Sequence, residues 1–204
     1  MIIYTVGHST NSMDRLIQIL RRHEITAVGD VRSQPYSRVN PQFNREALRD
    51  ALNEVGITYV FLGKELGART DDPACYEHGK VSYERLAKSN LFQRGLERVE
   101  KGASEYRLAL MCAEKEPLDC HRTILVARRL ADRGIEVRHI LADGSVELHL
   151  DTIQRLKTSL RLREDMFKSE DEAIRDAYEI QGARIAYAPT SDLKAVQREA
   201  QGSE

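Results

Sequence analysis

Residues 2–20, IIYTVGHSTNSMDRLIQIL, contain a short apolar run followed by an amphipathic pattern, and this pair decides the fold class. The apolar run covers residues 2–6 and ends at Gly7. The next apolar residues recur at spacings of three and four, which places them on one face of a helix: Met13, Leu16, Ile17 and Leu20. The stretch therefore predicts a buried strand followed by a helix that packs against it.

The same alternation of strand and helix patterns continues along the chain. Further strand patterns lie at 25–31, 57–62, 107–112 and 135–141, and the intervening helical patterns lie at 47–55, about 82–101 and 120–133. Right-handed crossovers join such elements most easily, which makes the strands parallel and puts helices on both faces. We therefore expect an α/β fold with an open, doubly wound, mostly parallel sheet of the Rossmann-like topology class over residues 1–150.

Residues 151–204 have a higher share of charged residues and predict a C-terminal helical appendage. The stretch SEDE at 169–172 matches a capping box, in which a serine and a glutamate satisfy the first backbone N–H groups of a helix. Apolar residues at helical spacing follow it, and we expect the helix to end near Gly182 and Pro189.

Composition excludes several classes of protein. With 204 residues, of which 41% are hydrophobic, the chain can bury a core and is not disordered as a whole. The 31 basic and 32 acidic residues nearly cancel, so no overall charge attracts nucleic acid or anionic lipid. The chain has only three cysteines, so we expect no disulfide framework. It has no apolar stretch of membrane-spanning length and no leader pattern at the start, so we expect a cytoplasmic protein without membrane contact.

Four motifs, in this order, resemble the family called domain of unknown function 488. They are TVGHST at 5–10, DVRSQPYSR at 30–38, YVFLGKELG at 59–67, and MCAEKEPLDCHR at 111–122 followed by RHI at 138–140. The resemblance covers about residues 1–141 and leaves the tail outside. It implies an α/β fold and supports the motif positions, but it implies no substrate.

The motifs place polar residues directly after predicted strands. In open parallel sheets, ligands bind at the carboxyl ends of the strands, where the following loops and helix N-termini meet. We therefore expect one pocket at this edge, formed by His8, Asp30, Arg32, Arg38, Glu114, His121 and Arg122.

Our first hypothesis is an enzyme or binding domain for a small phosphorylated or nucleotide-like anion, of the hydrolase or transferase type. The candidate catalytic residues are His8, Asp30, Glu114 and His121. The candidate substrate-binding residues are Ser9, Arg32, Ser37, Arg38 and Arg122. Arginine binds phosphate with two parallel hydrogen bonds, so Arg32 and Arg38 could clamp an anion. Alternatively, Arg32 pairs with Asp30 or Glu114 and only holds the loops in place.

Our second hypothesis is a metal or thiol site built from Cys112, Cys120 and His121. The position of Cys120 at a predicted helix N-terminus favours a thiolate. The spacing of the cysteines matches neither the short cysteine pairs of structural zinc sites nor the loop of cysteine phosphatases. The alternative is two small, partly buried cysteines and a histidine bonded to the backbone, and we rank the metal site below the anion site.

Our third hypothesis is a nucleic-acid accessory module, to which the tail would contribute Arg155, Lys157, Arg161 and Arg163. The near-zero net charge argues against it, because non-specific phosphate binding usually needs a basic face. Glycine-rich nucleotide motifs have no match either, since Gly63, Lys64 and Gly67 fit neither the dinucleotide nor the P-loop pattern. We name no cofactor and no oligomeric state.

Overall fold

The computed structural model describes residues 1–162 and 169–189. Its strands are β1 (Ile2–Gly7), β2 (Ala27–Asp30), β3 (Thr58–Phe61), β4 (Tyr76–Glu77), β5 (Lys80–Val81), β6 (Leu108–Cys112), β7 (Glu136–Ile140) and β8 (Val146–Leu148). Its α-helices are α1 (Met13–Arg22), α2 (Arg45–Glu54), α3 (Gly63–Leu66), α4 (Tyr83–Lys88), α5 (Asn90–Glu105), α6 (Arg128–Ala131), α7 (His149–Ser159) and α8 (Glu170–Ile185).

Within the described ranges, six strands form one sheet in the order β3-β2-β6-β1-β7-β8. The first five strands in this order are parallel to one another, and β8 pairs antiparallel with β7 at the edge. The short strands β4 and β5 form a separate antiparallel hairpin. The predicted α/β class with a mostly parallel sheet is therefore confirmed.

Each face of the sheet carries its own hydrophobic core. On one face α1 and α2 pack against the sheet through a cluster that includes Leu16, Leu20, Val28, Phe43, Leu48 and Met111. On the other face α5 and the segment after Cys120 pack through a cluster that includes Phe92, Leu96, Leu110, Leu125 and Val126. Helices on both faces are the arrangement that alternating strands and helices predict.

Two helical predictions differ from the structure in detail. The region 82–101 forms two helices, because Ser89 is extended and its hydroxyl accepts a hydrogen bond from the amide of Phe92, which starts α5 anew. The region after Cys120 begins as a π-helix over Arg122–Ala127 before it continues as α6. Wider turns of this kind often occur at functional sites.

The C-terminal helices pack against the α/β part of the chain. Side chains of α7 and α8 share a third cluster, whose members include Leu118, Ile124, Ile153, Leu156, Ala177 and Tyr178. The capping box of Ser169 and Glu172 is present at the start of α8. The helix continues through Gly182, which lies close to Tyr83 and Ile124, and ends at Ile185. The division of the chain near residue 150 stays a prediction.

No helix in the described part of the chain combines the length and apolar character that crossing a bilayer requires.

Candidate functional site

The carboxyl ends of three neighbouring strands form the edge at which the site lies. The order β2-β6-β1 brings the residues after Asp30, Cys112 and Gly7 side by side. The amide of His8 donates to the Cys112 carbonyl at 2.9 Å, so the strand ladder continues into the loop. A Cβ on Gly7 would lie 1.9 Å from the carbonyl oxygen of Glu114, so this close approach of two loops requires glycine.

Asp30 and Arg32 form a buried ion pair at this edge. Arg32 donates from Nε to Oδ1 of Asp30 at 2.9 Å and from Nη2 to Oδ2 at 2.7 Å. Its Nη2 also donates to the carbonyl of Phe43, and the hydroxyl of Tyr59 donates to Asp30. Asp30 is fully buried and Arg32 is only 7% exposed. The guanidinium group of Arg32 is therefore engaged by the protein itself.

His8 completes this cluster as a neutral side chain. Its Nε2 accepts from Nη1 of Arg32 at 3.1 Å, and its Nδ1 donates to the carbonyl of Ser9 at 2.8 Å. The ring stacks on Phe43. Burial and the positive charge of Arg32 lower the pKa of His8 to about 4.

Three other candidate residues, Ser9, Ser37 and Arg38, are not buried. Arg38 is exposed. The hydroxyl of Ser37 accepts from the amides of Val39 and Asn40, so it stabilises its own turn. Ser9 has a φ of 50° directly after His8.

A second cluster at the same edge joins Cys112, Cys120 and His121. Their ligand atoms all lie within 4.8 Å of one another, and all three residues are buried. Nδ1 of His121 lies 3.7 Å from Sγ of Cys112 and 4.0 Å from Sγ of Cys120. Nε2 of His121 lies 3.0 Å from the carbonyl of Val31, to which it can only donate. That hydrogen bond turns Nδ1 towards the two sulfur atoms.

The two thiols have opposite electrostatic properties. Burial acts to raise the pKa of Cys120, but the hydrogen bond with Cys112 and the charge of Arg122 outweigh it, so this pKa lies well below its usual value. Burial and the neighbouring Cys120 raise the pKa of Cys112 well above its usual value. The cluster therefore favours a thiolate at Cys120 beside a neutral Cys112.

Glu114 and His121 respond to this thiolate. Burial and the charge of Cys120 raise the pKa of Glu114, whose Oε2 lies 2.9 Å from Sγ of Cys120. Burial acts to lower the pKa of His121, but contact with Cys120 and the charge of Glu114 outweigh it and raise this pKa. The protonation states of Cys112, Cys120, Glu114 and His121 therefore depend on one another.

Arg122 lies fully buried behind the cluster. It donates to the carbonyls of Glu114 and Lys115, its Nε has no hydrogen-bond partner, and no carboxylate of the described residues pairs with it. A buried cation is costly without a counter-charge. The sulfur of Cys120, which lies 3.4 Å from the Arg122 amide nitrogen, is placed to supply that charge.

A cavity of about 280 Å³ opens over this edge. Of the candidate residues, Arg32, Cys112, Glu114 and His121 line it. The polar residues of its other walls are not among the site residues predicted from the sequence; they are Ser33, Gln34, Arg69, Tyr83, Asp119 and Tyr187. No local pattern could have identified Tyr83 and Tyr187, because they come from α4 and from the segment after α8.

Among the described basic residues of the tail, none lines this cavity. Arg155 and Lys157 form ion pairs with acidic side chains, which are Glu116, Glu147 and Glu170. Arg161 is exposed after α7, and Arg163 lies outside the described residues.

A family model described as "Domain of unknown function DUF488" matches residues 12–129, more than half of the chain. The chain belongs to the DUF488 family. The DUF488 match includes Asp30, Arg32 and the cluster of Cys112, Cys120 and His121, whereas His8 precedes it. Comparisons with curated proteins and with solved structures give no match.

Proposed function

We propose that this DUF488 protein is a metal-dependent enzyme whose metal ion, of the zinc type, is bound by Cys112, Cys120 and His121. The observation that carries the proposal is the convergence of one imidazole nitrogen and two sulfur atoms within 4.8 Å. Thiolate and imidazole ligands together suit zinc, whose binding would displace the protons of Cys112 and His121. Three protein ligands with one free position are typical of catalytic zinc sites.

The spacing of the ligand atoms supports this assignment. Zinc lies about 2.3 Å from thiolate sulfur and about 2.0 Å from imidazole nitrogen, so a tetrahedral site separates sulfur from nitrogen by about 3.5 Å. The two sulfur-to-nitrogen distances here are 3.7 and 4.0 Å. These two distances exceed the tetrahedral value by only a few tenths of an ångström.

The surroundings of His121 support it as well. A metal-bound histidine usually donates its second ring N–H to a carbonyl or carboxylate, which fixes the ring. Val31 supplies such a carbonyl at 3.0 Å. Because Cys112 and His121 also line the cavity, the free position would face a substrate there, next to the carboxyl group of Glu114.

The anion-binding hypothesis is the second candidate, and fewer contacts support it. Arg32 is engaged by Asp30, Arg122 is buried against backbone carbonyls, and Arg38 is exposed. The observation in its favour is the set of uncharged donors and one guanidinium group in the cavity wall, from Ser33, Gln34 and Arg69. We retain it as an alternative use of the same cavity.

Elemental analysis of protein purified without chelator tests the metal centre. We expect about one equivalent of zinc, which Cys120→Ser and Cys112→Ser lose. Cobalt substitution should give thiolate-to-metal absorption in the near ultraviolet. The matched control is Cys75→Ser, because Cys75 is the third buried cysteine and contacts Asp72 instead of the cluster.

Two outcomes would overturn the proposal. One is wild-type protein that contains no transition metal and gives no thiolate absorption with cobalt. The other is equal metal loss in Cys75→Ser and Cys120→Ser. A disulfide between Cys112 and Cys120 in freshly purified protein, detected by mass spectrometry, would assign the pair to thiol chemistry instead.

A further inference from the structure

A second and larger cavity lies beside the first, and Tyr83 lines both. Its volume is about 570 Å³, within the range of small-molecule sites. The β4–β5 hairpin, α4, the π-helical segment and α8 form its walls, so it is distinct from the cysteine cluster.

Arg128 is the most unusual residue of this cavity. Its guanidinium carbon lies 4.5 Å from the centre of the Tyr178 ring, and the side chain is half-buried. Among the described residues, no hydrogen-bond acceptor or carboxylate pairs with it. The two acids nearby, Glu84 and Asp132, are bound by Arg129 instead. Burial and the charge of Arg129 lower the pKa of Arg128.

The other charges of the cavity leave a positive centre at Arg128. Lys80 donates to the carbonyl of Ala183, and Glu77 is paired with Arg85. Glu179 lines the cavity as an exposed acid. A half-buried cation without a paired carboxylate is costly, and an anionic ligand would relieve that cost.

We propose that this cavity binds a small organic anion, whose carboxylate or phosphate oxygens accept parallel hydrogen bonds from Arg128. The guanidinium carbon lies over the Tyr178 ring, and its N–H groups have no acceptor among the described residues, so they are available for such bonds. The organic part of the ligand lies against Tyr83, Ile124 and Gly182. The small residues Gly182 and Ala183 of α8 and Ala186 directly after it leave space for it.

The test uses phenyl phosphate, benzoate and inorganic phosphate as probes, with affinity measured by NMR titration of the full chain. The aromatic probes should bind more tightly than inorganic phosphate, because the cavity is larger than that ion and partly apolar. Their shift changes should centre on the amides of Val81, Gly182 and Ala183. Comparison of phenyl phosphate with benzoate shows which acidic group the site prefers.

Arg128→Gln should weaken binding by about tenfold or more, since it removes a charge-assisted contact. The matched control is Arg21→Gln, which changes the net charge equally at an exposed position of α1. It should leave the affinity within about twofold, because the residue is remote from the cavity. Arg128→Lys keeps the charge but loses the planar fork, and should bind with intermediate affinity.

Three results would overturn the proposal. The first is that Arg128→Gln binds the probes with the same affinity as the wild type. The second is that the wild type binds no probe. The third is that the NMR shift changes centre on Ala113 and Glu114 in the first cavity. If Arg128→Gln does not fold, Arg128→Lys and the shift map of the wild type decide between these results.

Discussion

Acid should destabilise this protein through a buried chain of hydrogen bonds that joins the sheet to the C-terminal helices. Thr5 contacts Nδ1 of His139 at 2.7 Å, Nε2 of His139 contacts Nδ1 of His149 at 2.9 Å, and Nε2 of His149 contacts the hydroxyl of Tyr178 at 2.8 Å. All four residues are buried. The chain connects β1, β7, α7 and α8, so its protonation affects how these elements pack.

The size of the effect follows from the pKa of His149. Burial lowers this pKa to about 4, whereas an unfolded histidine titrates near about 6.5. Below pH 6.5 the unfolded chain therefore takes up a proton that the folded protein refuses until about pH 4. The resulting loss of unfolding free energy is about 2 kcal/mol at pH 5 and about 3 kcal/mol at pH 4. Burial and the neighbouring His149 lower the pKa of His139 too, so it acts in the same direction.

Urea unfolding at pH 7, 6 and 5, followed by circular dichroism, measures this loss of unfolding free energy. Carboxylates also titrate in acid, so the informative quantity is the difference in unfolding free energy between the wild type and His149→Gln. His149→Gln should be less stable at pH 7, and its deficit should shrink by about 2 kcal/mol on going to pH 5. The control is His78→Asn at an exposed left-handed position, which asparagine tolerates. A constant deficit across this pH range would refute the buried neutral state of His149.

Two further substitutions test the geometry at the strand ends. Arg32→Ala should lower the unfolding free energy by about 3 to 5 kcal/mol, because it leaves the fully buried carboxylate of Asp30 without its cation. Unchanged stability in urea would contradict the ion pair. Gly7→Ala should lower the unfolding free energy by at least about 1 to 3 kcal/mol, because its Cβ would lie 1.9 Å from the Glu114 carbonyl oxygen. A melting temperature equal to that of the wild type would contradict this close approach.

The main elements of the fold could be predicted because their patterns are local. The apolar run of β1 and the one-faced helix α1 are both visible in residues 2–20. The strand β8 was missed because its three residues contain no continuous apolar run. The break at Ser89 was missed because a single capping residue interrupts an otherwise continuous helical pattern. The π-helix at Arg122–Ala127 has no periodicity that distinguishes it from an α-helix in so short a segment.

The edge of the sheet that carries the site could be predicted as well, but the pairing of its side chains could not. Strand order alone brings the loops after β1, β2 and β6 together. Whether Arg32 faces a ligand or Asp30 depends on ångström-scale packing, which includes the carbonyl of Phe43 and the hydroxyl of Tyr59. The orientation of His121 likewise depends on Val31, a residue ninety positions earlier in the chain.

The contrast between two buried arginines favours the metal centre over the anion clamp. Arg32 has a carboxylate partner, so its charge is already neutralised within the protein. Arg122 is fully buried and does not line the cavity, yet it has no carboxylate partner among the described residues and leaves Nε unbonded. Its charge is best balanced by an anionic sulfur at Cys120, and a thiolate is the form of cysteine that binds metal. In the proposed centre Arg122, which the sequence assigns to substrate binding, would act indirectly by favouring the thiolate form of Cys120.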